Sequence, residues 1–404
     1  MERLISLVGL FSFLGICYAL SNNRKKIIWR PVIYGIIIQL TFGIFIIKTQ
    51  IGLSFFDLVK DMFNAILGFS TKGGAFIFGD LASQAKVGFV FATMVIPTII
   101  FMGSLMSVLY HIGIMQKIVG FTAWIMMKVM GTSGAESLAA AANIFVGQTE
   151  APLVVRPYIE KMTNSELMAL MVGGFATIAG GVLAAFVGLG IDAGHLLAAS
   201  VMSAPAALVC AKIMYPETEV PVTKGNAKLK DAAIYTNVVE AAAAGAGDGM
   251  MLALNVTAML LAFIALIAML NALISWGGGF VGMPQLSFEL ILGYLFWPIA
   301  FLMGTPVPDC LNVGILLGKK MALNEFVAYL DLMAMKGTMS ERATVLSTYA
   351  LCGFSNFSSI AIQIGGIGTL APSRKPDLAR LGLKAMFAGT LACLMTAAVA
   401  GLFI

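Results

Sequence analysis

The sequence predicts an all-α protein that crosses a membrane several times, and two observations carry that prediction. Of its 404 residues, 59% are hydrophobic and 11% charged, against roughly 45–50% and about 25% in an ordinary soluble domain; the mean hydropathy is +0.94. Several nearly uncharged stretches approach the ~20 residues that span about 30 Å of hydrocarbon. A free backbone N–H or C=O finds no water in that medium, so a long apolar run must close its hydrogen bonds within itself, as a helix.

Eight runs are read as spans: 4–20, 32–47, 87–109, 167–189, 196–209, 250–274, 343–365 and 383–404. The first resembles a signal peptide, because Arg3 precedes its apolar core. Arg24, Lys25, Lys26 and Arg30 follow it directly, and such a cluster resists export and marks the cytoplasmic side. The run is therefore a span with the N-terminus outside. In 51–67, Phe55, Phe56, Leu58, Val59 and Met62 alternate at helical period with Asp57, Lys60 and Asp61, giving one wet and one greasy face and a helix along the membrane surface. The stretch 115–130, with Lys117 and Lys128, is a weaker version. Parity places 286–303 at the interface too, since Arg374, Lys375, Arg380 and Lys384 belong in the cytoplasm.

One hydrophilic stretch, 215–248, carries Glu217, Glu219, Lys224, Lys228, Lys230 and Asp231 and reads as a cytoplasmic connector. The chain then divides into helices over 1–112, a first broken-segment half over 113–213, a linker over 214–248, a further span over 249–285 and a second broken-segment half over 286–404. A faint internal repeat supports the division. Glu150 precedes Gly174-Phe175-Ala176-Thr177-Ile178 by 24 residues, and Glu325 precedes Gly353-Phe354-Ser355-Asn356-Phe357 by 28. Each glutamate lies in a segment broken by Gly, Pro and polar residues, 131–160 and 304–332. Paired broken segments in corresponding halves are the sequence trace of discontinuous helices that build a transport site near the bilayer midplane. Both are expected to be re-entrant hairpins whose tips meet.

A carboxylate inside a bilayer costs at least ~2.5–3.5 kcal/mol and marks a cavity or pathway, so Glu150 and Glu325 anchor the functional reading. Gln148, Thr149 and Glu150 sit between Gly147 and Pro152, at a tip whose opened helix ends leave backbone groups to be met by a guest. Asn356 and Ser359, spaced i, i+3, share one helix face. Asp309 and Glu289 fit surface positions. No arginine accompanies the two tips, and Lys319 and Lys320 are expected to snorkel to water, which points to a neutral, hydroxyl-rich substrate. Asn143 and Thr177 offer side-chain oxygens to sodium beside unwound carbonyls, whereas a coupling proton would ride on Glu150 or Glu325. A passive pore would use a similar polar lining. The five cysteines stand singly in or beside apolar runs, and His111 and His195 are far apart, so neither set is read as a metal site. No HExxH or GxSxG motif supplies a metal or nucleophile; no enzyme, resident cofactor or nucleic-acid partner is expected.

Gly147-Gln148-Thr149-Glu150-Ala151-Pro152, Asn324-Glu325-Phe326-Val327-Ala328-Tyr329 and Gly353-Phe354-Ser355-Asn356-Phe357-Ser358-Ser359-Ile360 together resemble the concentrative nucleoside transporter family, over nearly the whole chain. The resemblance implies a homotrimer with eight spans per protomer, surface helices, two opposed re-entrant hairpins and two partly unwound helices in a moving transport domain. It further implies that Gln148, Thr149 and Glu150 contact the nucleobase, with Val182 and Phe354 packed on it, while Glu325, Asn356 and Ser359 hold the ribose hydroxyls. Sodium would lie on Asn143, the carbonyls of Val146 and Ile178, and Thr177. The implied activity is nucleoside import by sodium symport across a bacterial cytoplasmic membrane, with both termini on the outer side; some members use protons instead.

Overall fold

The computed structural model describes residues 1–225, 235–280 and 282–404. Lys228, Lys230 and Asp231 of the expected linker and the side chain of Phe56 lie outside the described residues. Among the described residues the secondary structure is helical, with no strand. The first third holds α1 (Glu2–Ala19), α2 (Trp29–Lys48), α3 (Gln50–Phe78), the single turn α4 (Gln84–Val87), α5 (Phe91–His111) and α6 (Ile114–Met130). The middle holds α7 (Gly134–Asn143), the short turns α8 (Ala151–Val154) and α9 (Arg156–Ile159), α10 (Asn164–Ala176), α11 (Gly180–Gly188) and α12 (Ala193–Met214). The last part holds α13 (Val238–Gly279), α14 (Phe288–Leu302), α15 (Cys310–Ala322), α16 (Glu325–Ala334), α17 (Glu341–Leu351), α18 (Phe357–Leu370) and α19 (Lys375–Phe403).

Much of the polar content of this apolar chain is spent on starting helices. Ser133 and Thr163 form reciprocal capping boxes with Glu136 and Glu166, and the side chains of Asp192, Asn237, Ser287, Asn324, Ser340 and Asn356 each accept an N–H from their own first turn. The four free N–H groups at a helix start have no water to turn to in a bilayer, so each cap removes a cost of roughly 0.5–2 kcal/mol.

Among the described residues, seven stretches are long and apolar enough to cross a membrane, including 164–188, which takes in α10 and α11. Two expected spans are not continuous helices. The run 167–189 breaks at 177–179, and 343–365 breaks at 352–356. Hydropathy registers neither break, because a few small or polar residues are averaged with the apolar runs on either side. The expected linker is also shorter: α13 starts at Val238 and runs 42 residues. α3 extends past the predicted surface segment to Phe78.

The helices sort into an inner and an outer set. In the most apolar window of α12, 89% of residues are buried, against 6% in α13. α10, α12 and α19 pack on one another at the centre, α13 lies along α5 at the periphery, and α14 covers α15.

Candidate functional site

Two hairpins approach the centre from opposite halves. In the first, the Ala-rich and wholly buried α7 ends at Asn143, and the chain turns through 144–150 before Pro152 starts α8. The turn is pinned through its carbonyls: Ser200 Oγ donates to Ile144 O at 2.8 Å and Gly180 N to Phe145 O at 3.0 Å. At its root, fully buried Glu136 pairs with Lys212 at 2.5 Å, while Ser133 Oγ donates to Glu166 Oε1 at 2.5 Å. Thr223, from the linker, covers the start of α7: its carbonyl accepts from Gly134 N at 2.9 Å and its hydroxyl from Ala135 N at 3.0 Å.

In the second hairpin, α15 and α16 meet at Leu323 and Asn324. Asn324 Oδ1 accepts from Val327 N at 2.9 Å, which puts Glu325 at the first position of α16, where the helix dipole favours an anion. Glu325 is buried.

Behind the tips the two broken helices touch through their breaks. Phe354 N donates to Thr177 O at 3.3 Å. Gly353 permits the approach, since a Cβ there would stand 2.7 Å from Phe175 O and 2.6 Å from Cys393 Sγ. The Gly-Phe repeat seen in the sequence is thus a contact between the two halves.

One chain of polar contacts joins both tips. Asn356 Nδ2 donates to Glu325 Oε2 at 3.1 Å, and Asn356 Oδ1 accepts from Ser359 N at 2.9 Å. Gln148 Nε2 donates to Ser359 Oγ at 3.1 Å, and Gln363 Nε2 donates to Gln148 Oε1 at 3.1 Å. Gln148, Glu325, Asn356 and Ser359, all expected from sequence, therefore meet around the N-terminus of α18. Val182 is buried on α11 and Phe354 half-buried in the second break. Thr149 is half-buried; Glu150 is exposed at the tip, its carboxylate folded back over Gly147, outside this chain of contacts.

The residues expected to hold sodium also converge. Asn143 is 1% exposed, and neither its Oδ1 nor its Nδ2 has a hydrogen-bond partner among the described residues. A Cβ at Gly173 would lie 2.9 Å from Asn143 Nδ2, and Thr177 Oγ1 donates to Gly173 O at 2.9 Å, so Asn143 and Thr177 share the end of α10. Val146 and Ile178 lie in the adjacent non-helical stretches. A buried orphan carboxamide costs roughly 1–3 kcal/mol, and of its two ends only the oxygen can ligate a cation.

Three expectations need correction. Lys319 and Lys320 do not snorkel to water. Lys320 is 2% exposed and donates to Ala350 O at 2.8 Å, at the C-terminal end of α17, where backbone carbonyls attract a cation; Lys319 pairs with Asp331 at 2.6 Å and Glu289 at 3.5 Å. Asp309 is buried, accepting from Ser340 Oγ at 2.5 Å at the start of α17. Gln363 was not anticipated, although with Asn356 and Ser359 it falls at i, i+3, i+7 on one helix face. A cavity of about 330 Å3 lies apart from the polar chain, lined by Phe42, Phe121, Ala198 and Met202 behind Phe145. It has no charged lining residue. All five cysteines are free and buried.

Comparison with known proteins places this geometry. Family models described as Na+ dependent nucleoside transporter N-terminus, nucleoside recognition, and Na+ dependent nucleoside transporter C-terminus match residues 8–81, 92–192 and 195–401. An "uncharacterized transporter" of Haemophilus influenzae is 48% identical over 413 residues, covering 100% of this chain and 98% of that one. Sodium/nucleoside cotransporter 1 of Rattus norvegicus is 43% identical over 425 residues, with 99% of this chain matched to 64% of that longer protein. CNTnw in an inward-facing substrate-bound state superposes with a TM-score of 0.95 at 44% identity, covering 100% of this chain and 98% of that chain; a variant of it in an outward-facing state gives 0.95 at 43%. The chain is a member of the concentrative, Na+ dependent nucleoside transporter family.

Proposed function

We propose that this protein imports uridine-like nucleosides by sodium symport with alternating access. The observation that carries the reading is the chain of contacts from Glu325 through Asn356 and Ser359 to Gln148, which joins the tips of hairpins from opposite halves. Gln148, Thr149 and Glu150 face the base, Val182 and Phe354 pack on it, and Glu325, Asn356 and Ser359 take the ribose hydroxyls. A carboxylate accepts such hydroxyl donors through charge-assisted bonds. The charge of Glu325 lies within electrostatic reach of buried Lys320, which favours an uncharged guest.

Sodium travels as a second substrate on Asn143, Thr177 and the carbonyls of Val146 and Ile178. The unpartnered Oδ1 of buried Asn143 supports this assignment. The inner helices and hairpins move against an outer scaffold of α1, α2, α3, α5 and α13; the protein assembles as a homotrimer in a bacterial cytoplasmic membrane with both termini periplasmic.

The test is a calorimetric titration of uridine with and without sodium, then uptake into proteoliposomes under an imposed sodium or proton gradient. Tight binding only in sodium and sodium-driven accumulation are expected. Uptake indifferent to sodium but driven by protons would replace the ion, and equilibration without accumulation would make the protein a pore.

A further inference from the structure

We infer that Gln363 is a positioning residue of the recognition site, acting through Gln148; this rests on the nucleoside reading above. The two ends of a carboxamide have nearly the same shape, so what fixes one is the chemistry of its neighbours. Gln363, 1% exposed on α18, has its Nε2 3.1 Å from Met171 O and 3.1 Å from Gln148 Oε1. A backbone carbonyl can only accept. The amino end of Gln363 must therefore face Met171, and that same group then requires an oxygen from Gln148. Gln148 is left with its amino end toward Ser359 Oγ, at 3.1 Å.

The backbone of α10 thus sets the orientation of a side chain at the hairpin tip, two hydrogen bonds away. One N–H of Gln148 is committed to Ser359 and the other is free for an acceptor on the guest. Gly174 makes the relay possible, because a Cβ there would stand 2.9 Å from both Gln148 Cβ and Gln363 Nε2. Gln363 Oε1 is buried and has no hydrogen-bond partner among the described residues, so the amide is held by its donor end alone. Without Gln363 nothing fixes the amide of Gln148, because the Ser359 hydroxyl can accept from its nitrogen or donate to its oxygen, and the turned-over amide offers the guest no N–H.

The experiment is a double-mutant cycle on uridine affinity in sodium, using wild type, Gln148→Ala, Gln363→Leu and the double variant, with the thermal midpoint of each measured without uridine. Gln363→Leu is expected to weaken uridine about threefold to tenfold, the span of one net hydrogen bond. In the Gln148→Ala background it is expected to do nothing further. Should Gln363→Leu fail to fold, Gln363→Met serves instead, since a thioether of similar length cannot donate to either oxygen. An equal loss in both backgrounds, or no loss where Gln148 is intact, overturns the inference while leaving the nucleoside reading standing. A wild-type protein that does not bind uridine removes both.

Discussion

At the scale of single residues, the polar side chains divide into those whose partners lie within the protein and those left waiting for a guest. Glu325 keeps one oxygen on Asn356, and in the proposed function its charge holds the ribose hydroxyls. Glu325→Gln keeps the shape and removes the charge. A hydrogen bond to a charged group contributes about 1.5–3 kcal/mol, so uridine affinity is expected to fall roughly tenfold to a hundredfold in calorimetry; unchanged binding would assign the residue to structure. Among the described residues the Asn143 side chain has no hydrogen bond to lose. Asn143→Ala is therefore expected to leave the thermal midpoint in potassium nearly unchanged while abolishing the rise that sodium produces. A sodium-induced rise preserved in that variant would move the ion elsewhere.

Gln148 and Glu325 were legible in the sequence because each stands in a segment broken by Gly, Pro and polar residues. Gln363 was not, since what gives it a role is the carbonyl of Met171, and every residue has a carbonyl. Lys320 was misread for a related reason: its partner is the backbone end of α17, which composition does not display.

Among the elements, what matters is how interrupted helices are held in register. Gly353 lies where the two breaks cross, and Gly353→Ala forces a methyl into backbone. Overpacking of this kind costs about 1–3 kcal/mol, so a drop of several degrees in thermal midpoint is expected together with weakened uridine binding; full stability would show that the crossing yields easily. The root of the first hairpin is held by charge instead. Lys212 is the cation among buried Glu136, Glu166 and half-buried Glu217, and removing one partner of a buried pair costs about 3–5 kcal/mol. Lys212→Met is expected to prevent stable folding in detergent, with partial recovery when Glu136→Gln is added. Most helices could be read from hydropathy. The two breaks could not, because a window average treats Gly353 and Thr177 as compatible with the runs around them.

For the whole molecule, the division into an inner and an outer set of helices is the feature that hydropathy alone conceals. α12 and α13 are both apolar enough to span, yet one is enclosed by protein and the other almost bare. The five native cysteines are buried, so a single introduced thiol can report on access. Thr149→Cys, at the half-buried tip, is expected to react with a charged, membrane-impermeant thiol reagent from one side of the membrane at a time, and uridine with sodium is expected to protect it. Simultaneous reactivity from both sides would contradict alternating access.

The bond from Phe354 N to Thr177 O, with Gly353 wedged against Phe175, has a kinetic meaning. Displacing one break relative to the other breaks that backbone hydrogen bond at a buried crossing, where an unpaired N–H or C=O is costly. In the proposed transport cycle that cost favours movement of the two repeats as one body.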